Sequence, residues 1–343
     1  MPTEKVMVTG GTGFVGSHTV AELVRNGYRV RLLVRNLERA RESLSPLGIK
    51  DFEAVLGDVT DPKSVEQAAE GCSATIHCGS VYSLDSRAAA RIKKTNVQGT
   101  DIVIKTAWKF RHDPIVHVSS VAALIGVKKD ILSPASLPGT PPGIYSRSKA
   151  DSDRVARKYQ DNGAPVVITY PGSVWGPHDP HFGESCQMAV SILRRYWSVI
   201  PRGIVWITDV RDLARLHAAL IEKGRGPRRY IAPVTNVGIG EAISIMGSVI
   251  GRRLSTFSLP AWTLLWLMQT LDWLQLILPF RLPVNYQAVY MTGLFAKMDD
   301  SATRKEFGIE PKPLDETFSD TIKWMVETGH LSPRLAGRLA KES

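Results

Sequence analysis

The chain has 343 residues, 43% of them apolar and 22% charged, with 43 basic against 33 acidic side chains and a net charge of +10. This composition excludes disordered, collagen-like and disulfide-stapled chains, and at about 150 residues per domain the length allows one large domain or two lobes. The positive surplus suits anionic ligands, but no run of five or more basic residues concentrates it, so nucleic acid is not expected as a partner.

The first strand is expected at Lys5–Thr9, entered directly from the N-terminus without a basic, apolar or cleavable leader. Gly10-Gly11-Thr12-Gly13-Phe14-Val15-Gly16 follows it and opens a helix. Glycine supplies the dihedrals of a tight turn, keeps side chains away from a pyrophosphate and lets the helix pack on the strand. The helix N-terminus then offers unbonded N–H groups to the phosphates. These seven residues are therefore assigned to dinucleotide binding.

The second strand, Arg29–Val34, ends in Arg35 and Asn36, with no acid before Glu38. A carboxylate there would hold the ribose hydroxyls of NAD and repel a 2′-phosphate, whereas a guanidinium can grip that phosphate. NADP(H) is the expected cofactor, with NAD(H) as the alternative if Arg35 is only a surface arginine. The third strand, Asp51–Leu56, ends at Gly57-Asp58-Val59, where Asp58 either meets the adenine amino group or caps its own turn. The fourth, Ala74–Cys78, continues into Gly79 and Ser80, small residues able to line the dinucleotide.

The fifth strand, Ile115–Ser119, places Ser120 at the carboxyl edge, where ligands sit in open α/β sheets. Tyr145 and Lys149 lie four apart, on one face of a helix. A nearby ammonium is expected to lower the phenol's pKa, so that Tyr145 exchanges a proton with a carbonyl oxygen held by Ser120. The sixth strand is expected at Val166–Tyr170. Helix stops at Asn26-Gly27 and Asn162-Gly163 complete a βαβ rhythm, which implies a doubly wound parallel sheet.

Beyond residue 171 the rhythm weakens, with helical patterns at Glu184–Arg195, Val210–Lys223, Ile239–Ile250 and Leu314–Thr328. The expected division is a Rossmann domain over 1–171 and a smaller substrate lobe over 172–343, with Val205–Lys223 packing back on the first. Leu259–Phe280 holds fifteen apolar residues in twenty-two, including Trp262, Trp266 and Trp273. Pro260 and Pro279 leave eighteen residues between them, marginal for a bilayer span. A buried or lid helix beside an apolar pocket is expected, with membrane-surface contact or a true span as the alternatives. Cys72, Cys78 and Cys186 fit neither a zinc site nor a disulfide framework, so no metal and a reducing, cytoplasmic setting are expected.

The full order of these motifs resembles the extended short-chain dehydrogenase/reductase superfamily. Further matches are Asn96-Val97-Gln98-Gly99-Thr100, Pro171-Gly172-Ser173-Val174-Trp175-Gly176-Pro177 and Asp209-Val210-Arg211-Asp212-Leu213-Ala214. The resemblance implies a Ser120, Tyr145, Lys149 triad, with Tyr145, Lys149, Pro171 and Ser173 also lining the cofactor. It implies a homodimer through helices near 88–111 and 145–162, and leaves Asn96 either helix-orienting or catalytic. Among branches, the 4,6-dehydratases carry Thr-Asp-Glu where this chain has Ser120-Val121-Ala122. The sugar-nucleotide epimerases often carry an Arg and an Asn around Pro171 that are missing here. The chain is most similar to the dihydroflavonol-reductase and 3β-hydroxysteroid-dehydrogenase-like branch. The expected activity is NADP-dependent hydride transfer to or from a ketone or secondary alcohol of a bulky steroid-, flavonoid- or lipid-like substrate. A sugar-nucleotide epimerase and a non-catalytic NADP-binding scaffold are the alternatives. Tyr82, His178, His181 and Trp206 are candidate pocket residues.

Overall fold

The computed structural model describes residues 4–82, 88–126, 130–195, 197–274, 289–291 and 293–341. Strands β1 (Lys5–Thr9), β2 (Arg29–Val34), β3 (Glu53–Leu56), β4 (Ala74–His77) and β5 (Ile115–Val118) alternate with helices α1 (Phe14–Arg25), α2 (Leu37–Leu44), α3 (Pro62–Ala69), α4 (Ala89–Ile92) and α5 (Gly99–Lys109). A π-helical stretch, Lys93–Gln98, joins α4 to α5. A two-residue strand, β6 (Ile131–Leu132), precedes the long helix α6 (Ile144–Asp161) and β7 (Val166–Tyr170). β3, β4 and β5 are one or two residues shorter than their apolar runs, because the outermost residues turn away at the edges.

In the second half come β8 (Ser173–Trp175), α7 (Glu184–Leu193), β9 (Trp197–Pro201), β10 (Ile204–Asp209), α8 (Val210–Ala219), β11 (Arg228–Ile231) and β12 (Thr235–Gly238). They are followed by α9 (Ile239–Ile250), β13 (Ser255–Leu259), α10 (Ala261–Leu274), β14 (Lys297–Met298), α11 (Ser301–Phe307) and α12 (Leu314–Glu327).

Seven strands form one sheet in the order β11-β7-β5-β4-β1-β2-β3, every neighbouring pair parallel. This is the doubly wound Rossmann arrangement. The inner strands β1, β4, β5 and β7 are buried on both faces, so their residues read as nearly continuous apolar runs rather than an alternation. Val6, Val8, Leu32, Ile76 and Val116 are fully buried against Val20 and Leu23 of α1 and Leu213 and Leu216 of α8. Asp209 starts α8 by accepting from Arg211 N at 2.8 Å. Buried His217 of α8 contacts both Thr19 of α1, at 2.9 Å, and Thr169 of β7, at 3.2 Å.

Outside this sheet, β12-β10-β8 form a three-stranded sheet, β13-β9 a parallel pair and β14-β6 another. A separate apolar cluster joins Trp175, Leu193, Ile207, Val237, Met246, Phe318 and Trp324.

The apolar segment beginning at Leu259 departs from expectation. Leu259 closes β13, and the helix that follows has fourteen residues, Ala261–Leu274. Residues 275–280 lie outside the described part. Trp262 and Trp266, expected to be buried, are 71% and 68% exposed. They lie one turn apart on the helix side opposite buried Leu264, so the core takes only one stripe of an all-round apolar helix. No helix among the described residues is long and apolar enough to cross a membrane.

Candidate active site

Because the seven strands are parallel, their carboxyl ends share one edge. The register pairs Thr9 with His77 and His77 with His117, so Gly10, Cys78 and Val118 come side by side, with Ser119 and Ser120 just beyond. Gly10 has φ +71°, and a Cβ there would lie 2.6 Å from Gly79 N, so no side chain fits between the two turns. A Cβ on Gly16 would fall 2.0 Å from Gly10 O. Gly13 N–H donates back to Gly10 O at 3.0 Å, and the helical ladder begins only with Ser17 N to Gly13 O at 2.8 Å. The N–H groups of Phe14, Val15 and Gly16 therefore head α1 before its first helical bond, which is the donor set an anionic pyrophosphate needs. Thr12 is pinned from behind by Ser43 Oγ, 3.1 Å from its carbonyl.

Arg35 projects exposed from the end of β2. Neighbouring Asn36 caps α2 by accepting from Arg39 N at 3.0 Å. Asp58 spends Oδ1 on Thr60, on its N–H at 2.9 Å and its hydroxyl at 2.8 Å. The turn-capping role is thus real, and Oδ2 is the oxygen left to face a ligand. Val59 reaches toward both Gly79 and Gly99, closing the floor between β4 and α5. Ser80 is exposed on the rim. Burial pushes the Cys78 thiol up to about 12, so it is a neutral lining group.

Gly143, at φ +90°, lets the chain turn into α6, where Tyr145 is the second residue. Ser120 Oγ accepts from Ala122 N at 3.2 Å, and the same hydroxyl faces the Tyr145 phenol. Lys149, one turn further, is buried and donates to Val118 O at 3.4 Å. Ser120, Tyr145 and Lys149 therefore converge at the edge that carries the glycine turn. Pro171 and Ser173 border it: Val121 N–H donates to Pro171 O at 3.0 Å, and Ser173 Oγ accepts from Trp175 Nε1 at 3.0 Å.

The electrostatics depart from the expected pattern. The Tyr145 pKa is raised, to about 12, by burial above all; the Ser120 hydrogen bond pulls it down and the Glu184 carboxylate adds a smaller upward push. Lys149 is itself lowered to about 8 by burial, and its ammonium donates to Val118 O at 3.4 Å. Burial thus holds the phenol as a proton donor.

Three neighbours carry further weight: Asn96 and Tyr82, which the sequence signalled, and Glu184, which it did not. Asn96 is buried, accepts from Val81 N at 2.7 Å, and donates to Val81 O and to Ser148 Oγ, each at 3.0 Å. Its amide is fully engaged in holding the segment after β4 against α6, which is the orienting role. The Tyr82 ring packs 4.5 Å from that of Tyr145. Glu184, at the start of α7, influences both phenols, and burial raises its own pKa. A proline- and glycine-rich stretch hid that carboxyl, since nothing in the spacing brings it toward residue 145.

Other candidates fall elsewhere. Trp206 is buried and donates to Ala296 O at 2.8 Å, a core role. His178 and His181 line a different cleft of about 550 Å³, with Arg39, Ser43 and Trp324. Asp209 and Arg211 join α8 to α12: Arg211 Nη2 meets Asp209 at 2.7 Å, and Arg211 also binds Asp320.

The family model described as NAD dependent epimerase/dehydratase family matches residues 6–238. A Synechocystis sp. protein provisionally named dihydroflavonol 4-reductase is 29% identical over 337 residues, spanning 94% of this chain and 95% of its own. The 4-hydroxy-2-methyl-3-oxo-4-farnesyl-3,4-dihydroquinoline-1-oxide ketoreductase of Stigmatella aurantiaca is 26% identical over 326 residues, spanning 93% and 96%. The crystal structure of gox2253 superposes with a TM-score of 0.80 at 25% identity, covering 96% of this chain and all of that one.

Proposed function

The chain belongs to the NAD dependent epimerase/dehydratase family, and from that premise we propose that it is an NADP(H)-dependent oxidoreductase acting on a ketone or secondary alcohol of a bulky apolar molecule. Its family and relatives make it an enzyme of small-molecule chemistry that uses a nicotinamide dinucleotide. The finer reading rests chiefly on one observation: Tyr145 faces Ser120 from the helix whose Lys149 reaches Val118 O at the carboxyl end of β5.

In this reading residues 1–171 hold the dinucleotide and 172–343 shape the substrate side. Gly10–Gly16 cradle the pyrophosphate, Asp58 and Val59 border the adenine, and Arg35 takes the 2′-phosphate. Cys78, Gly79, Ser80, Pro171 and Ser173 line the nicotinamide half, and Lys149 holds its ribose. The dinucleotide, when bound, supplies or accepts the hydride. Ser120 orients the substrate oxygen and stabilises its developing charge, and Tyr145 gives it a proton during reduction. A phenol kept protonated by burial suits that direction. α5 and α6 form the dimer contact.

The test is Tyr145→Phe against a panel of bulky apolar ketones. Turnover with NADPH is expected to vanish while NADPH still raises the melting temperature. Turnover equal to wild type would overturn the mechanism. Stabilisation by nucleotide sugars but by no apolar ketone would favour an epimerase, and stabilisation by NADPH with no turnover at all would favour a scaffold.

A further inference from the structure

Outside the seven-stranded sheet, the parallel ribbon β9–β13 turns one face inward and one outward. Inward, Ile200 and Thr256 lie against Gly240 of α9. Outward, Val199 and Phe257 are register partners, and Phe257 is 63% exposed. The ribbon runs through Pro260 directly into α10, whose Trp262 and Trp266 also face outward. Large apolar side chains left exposed together mark a contact surface rather than chance.

Along the sequence stretches that carry these residues the charge has one sign. Between Gln187 and Thr208 and between Ala242 and Leu271 the sequence holds five arginines, no lysine and no acid. Arg194 and Arg195 precede β9, Arg253 precedes β13 and Arg202 follows β9, so exposed guanidinium groups stand at both ends of the ribbon. Among the described residues none of these four meets a carboxylate. Tryptophan at the apolar–polar boundary with arginine at its flanks is the pattern that anionic lipid headgroups attract.

The inner side of this face leads toward the candidate site. Leu264 packs with Val289, and Ala261 abuts Gly293. Tyr290, Met291 and Leu294 join the cluster that includes Tyr145, and Ser146 Oγ lies 3.6 Å from Met291 Sδ. Among the described residues, contacts through 289–294 thus link α10 to the helix that carries Tyr145.

We propose that the outward face of β9–β13 and α10 seats this protein on an anionic lipid surface, in the plane of the headgroups and without spanning the bilayer. The position lets an apolar substrate dissolved in the bilayer approach Tyr145. The binding itself does not depend on the reaction proposed above.

The test is co-flotation with vesicles, one set a third phosphatidylglycerol in phosphatidylcholine, the other pure phosphatidylcholine. The full chain is expected to float with the first set and largely not with the second, and to be released by salt. A Phe257→Ser/Trp262→Ser/Trp266→Ser variant and an Arg194→Glu/Arg202→Glu/Arg253→Glu variant should each lower the bound fraction about tenfold at unchanged melting temperature. Failure to float with either set overturns the proposal, as does full binding by the serine variant, which would mean diffuse charge attraction only. A wild-type dimer that the serine variant splits, with no vesicle binding, assigns the face to a second copy and also overturns it. Should a variant not fold, bromolipid vesicles give the same decision on the wild type: tryptophan quenching supports the seating and its absence refutes it.

Discussion

Asn96 donates to Ser148 Oγ at 3.0 Å, and that hydroxyl donates in turn to the carbonyl of Tyr145 at 2.7 Å. The start of α6 is therefore braced from a helix that begins fifty residues earlier. Asn96→Ala should free the segment at Val81 and leave Ser148 with one partner fewer. The expected loss is about 2 kcal/mol of stability, since a buried amide with three bonds is removed. Turnover should fall more than apparent substrate affinity, because the Tyr145 hydroxyl drifts while the pocket walls remain. Steady-state kinetics with a melting curve check both.

Arg35 stands exposed where β2 ends, with Asn36 committed to capping α2. Arg35→Asp removes the guanidinium and adds a charge that repels a 2′-phosphate and accepts from ribose hydroxyls. The KM for NADPH should rise by about tenfold to a hundredfold, and NADH should become the better cofactor. An unchanged ratio between the two would move the discrimination to Arg39, one turn away.

Lys149 carries its charge into a buried position, and its pKa falls from 10.5 to about 8. The protonated form is thus disfavoured by the folded state, fully so below pH 8, and the penalty fades as pH rises toward 10.5. Lys149→Met should raise stability at neutral pH by about 3 kcal/mol, the free-energy equivalent of that shift, and the gain should shrink above pH 8. Activity should be lost. Denaturant melts at pH 7 and pH 10 measure the difference.

His77, His117 and His217 are all buried and kept neutral, His77 and His217 with values of about 3. Folded values below the ordinary 6.5 mean stability that is present above pH 6.5 and lost as pH falls toward 3. Each histidine adds a slope on the order of 1 kcal/mol per pH unit in that window. Within the group, His117 has no hydrogen-bond partner on either ring nitrogen among the described residues, while its ring stacks 5.7 Å from His77. His117→Phe keeps the stacking and removes two buried unpaired nitrogens. It should raise the melting temperature at pH 7 and flatten its decline toward pH 5.

The sheet was largely legible because each buried parallel strand is an unbroken apolar run between turn signals. Lys5–Thr9, Arg29–Val34 and Val166–Tyr170 end where those runs end. The glycine turn was legible for the same reason, since only glycine survives where Gly10 meets Gly79 and Gly16 meets Gly10. What pattern could not supply was three-dimensional company. β8, β9, β12 and β13 are three to five residues long and sit among prolines and glycines, so they carry no periodicity. Tyr145 and Lys149 share a helix face as their spacing requires, yet the lysine's own burial turned its ammonium to Val118 O. Burial reverses the expected sign on the phenol, and Glu184 adds to it from thirty-nine positions away. The tryptophans near residue 260 show the opposite failure: apolar composition fixed their cost in water but not which surface covers it.

β11 has a consequence for how this protein can be divided. It is drawn from Arg228–Ile231, yet it pairs with β7 and completes the sheet that begins at residue 5. A fragment ending near residue 200 would leave the β7 backbone unzipped along that side, an invitation to aggregate. Chimeras that exchange substrate specificity between relatives should therefore keep this short stretch, with α8, matched to the recipient's first half.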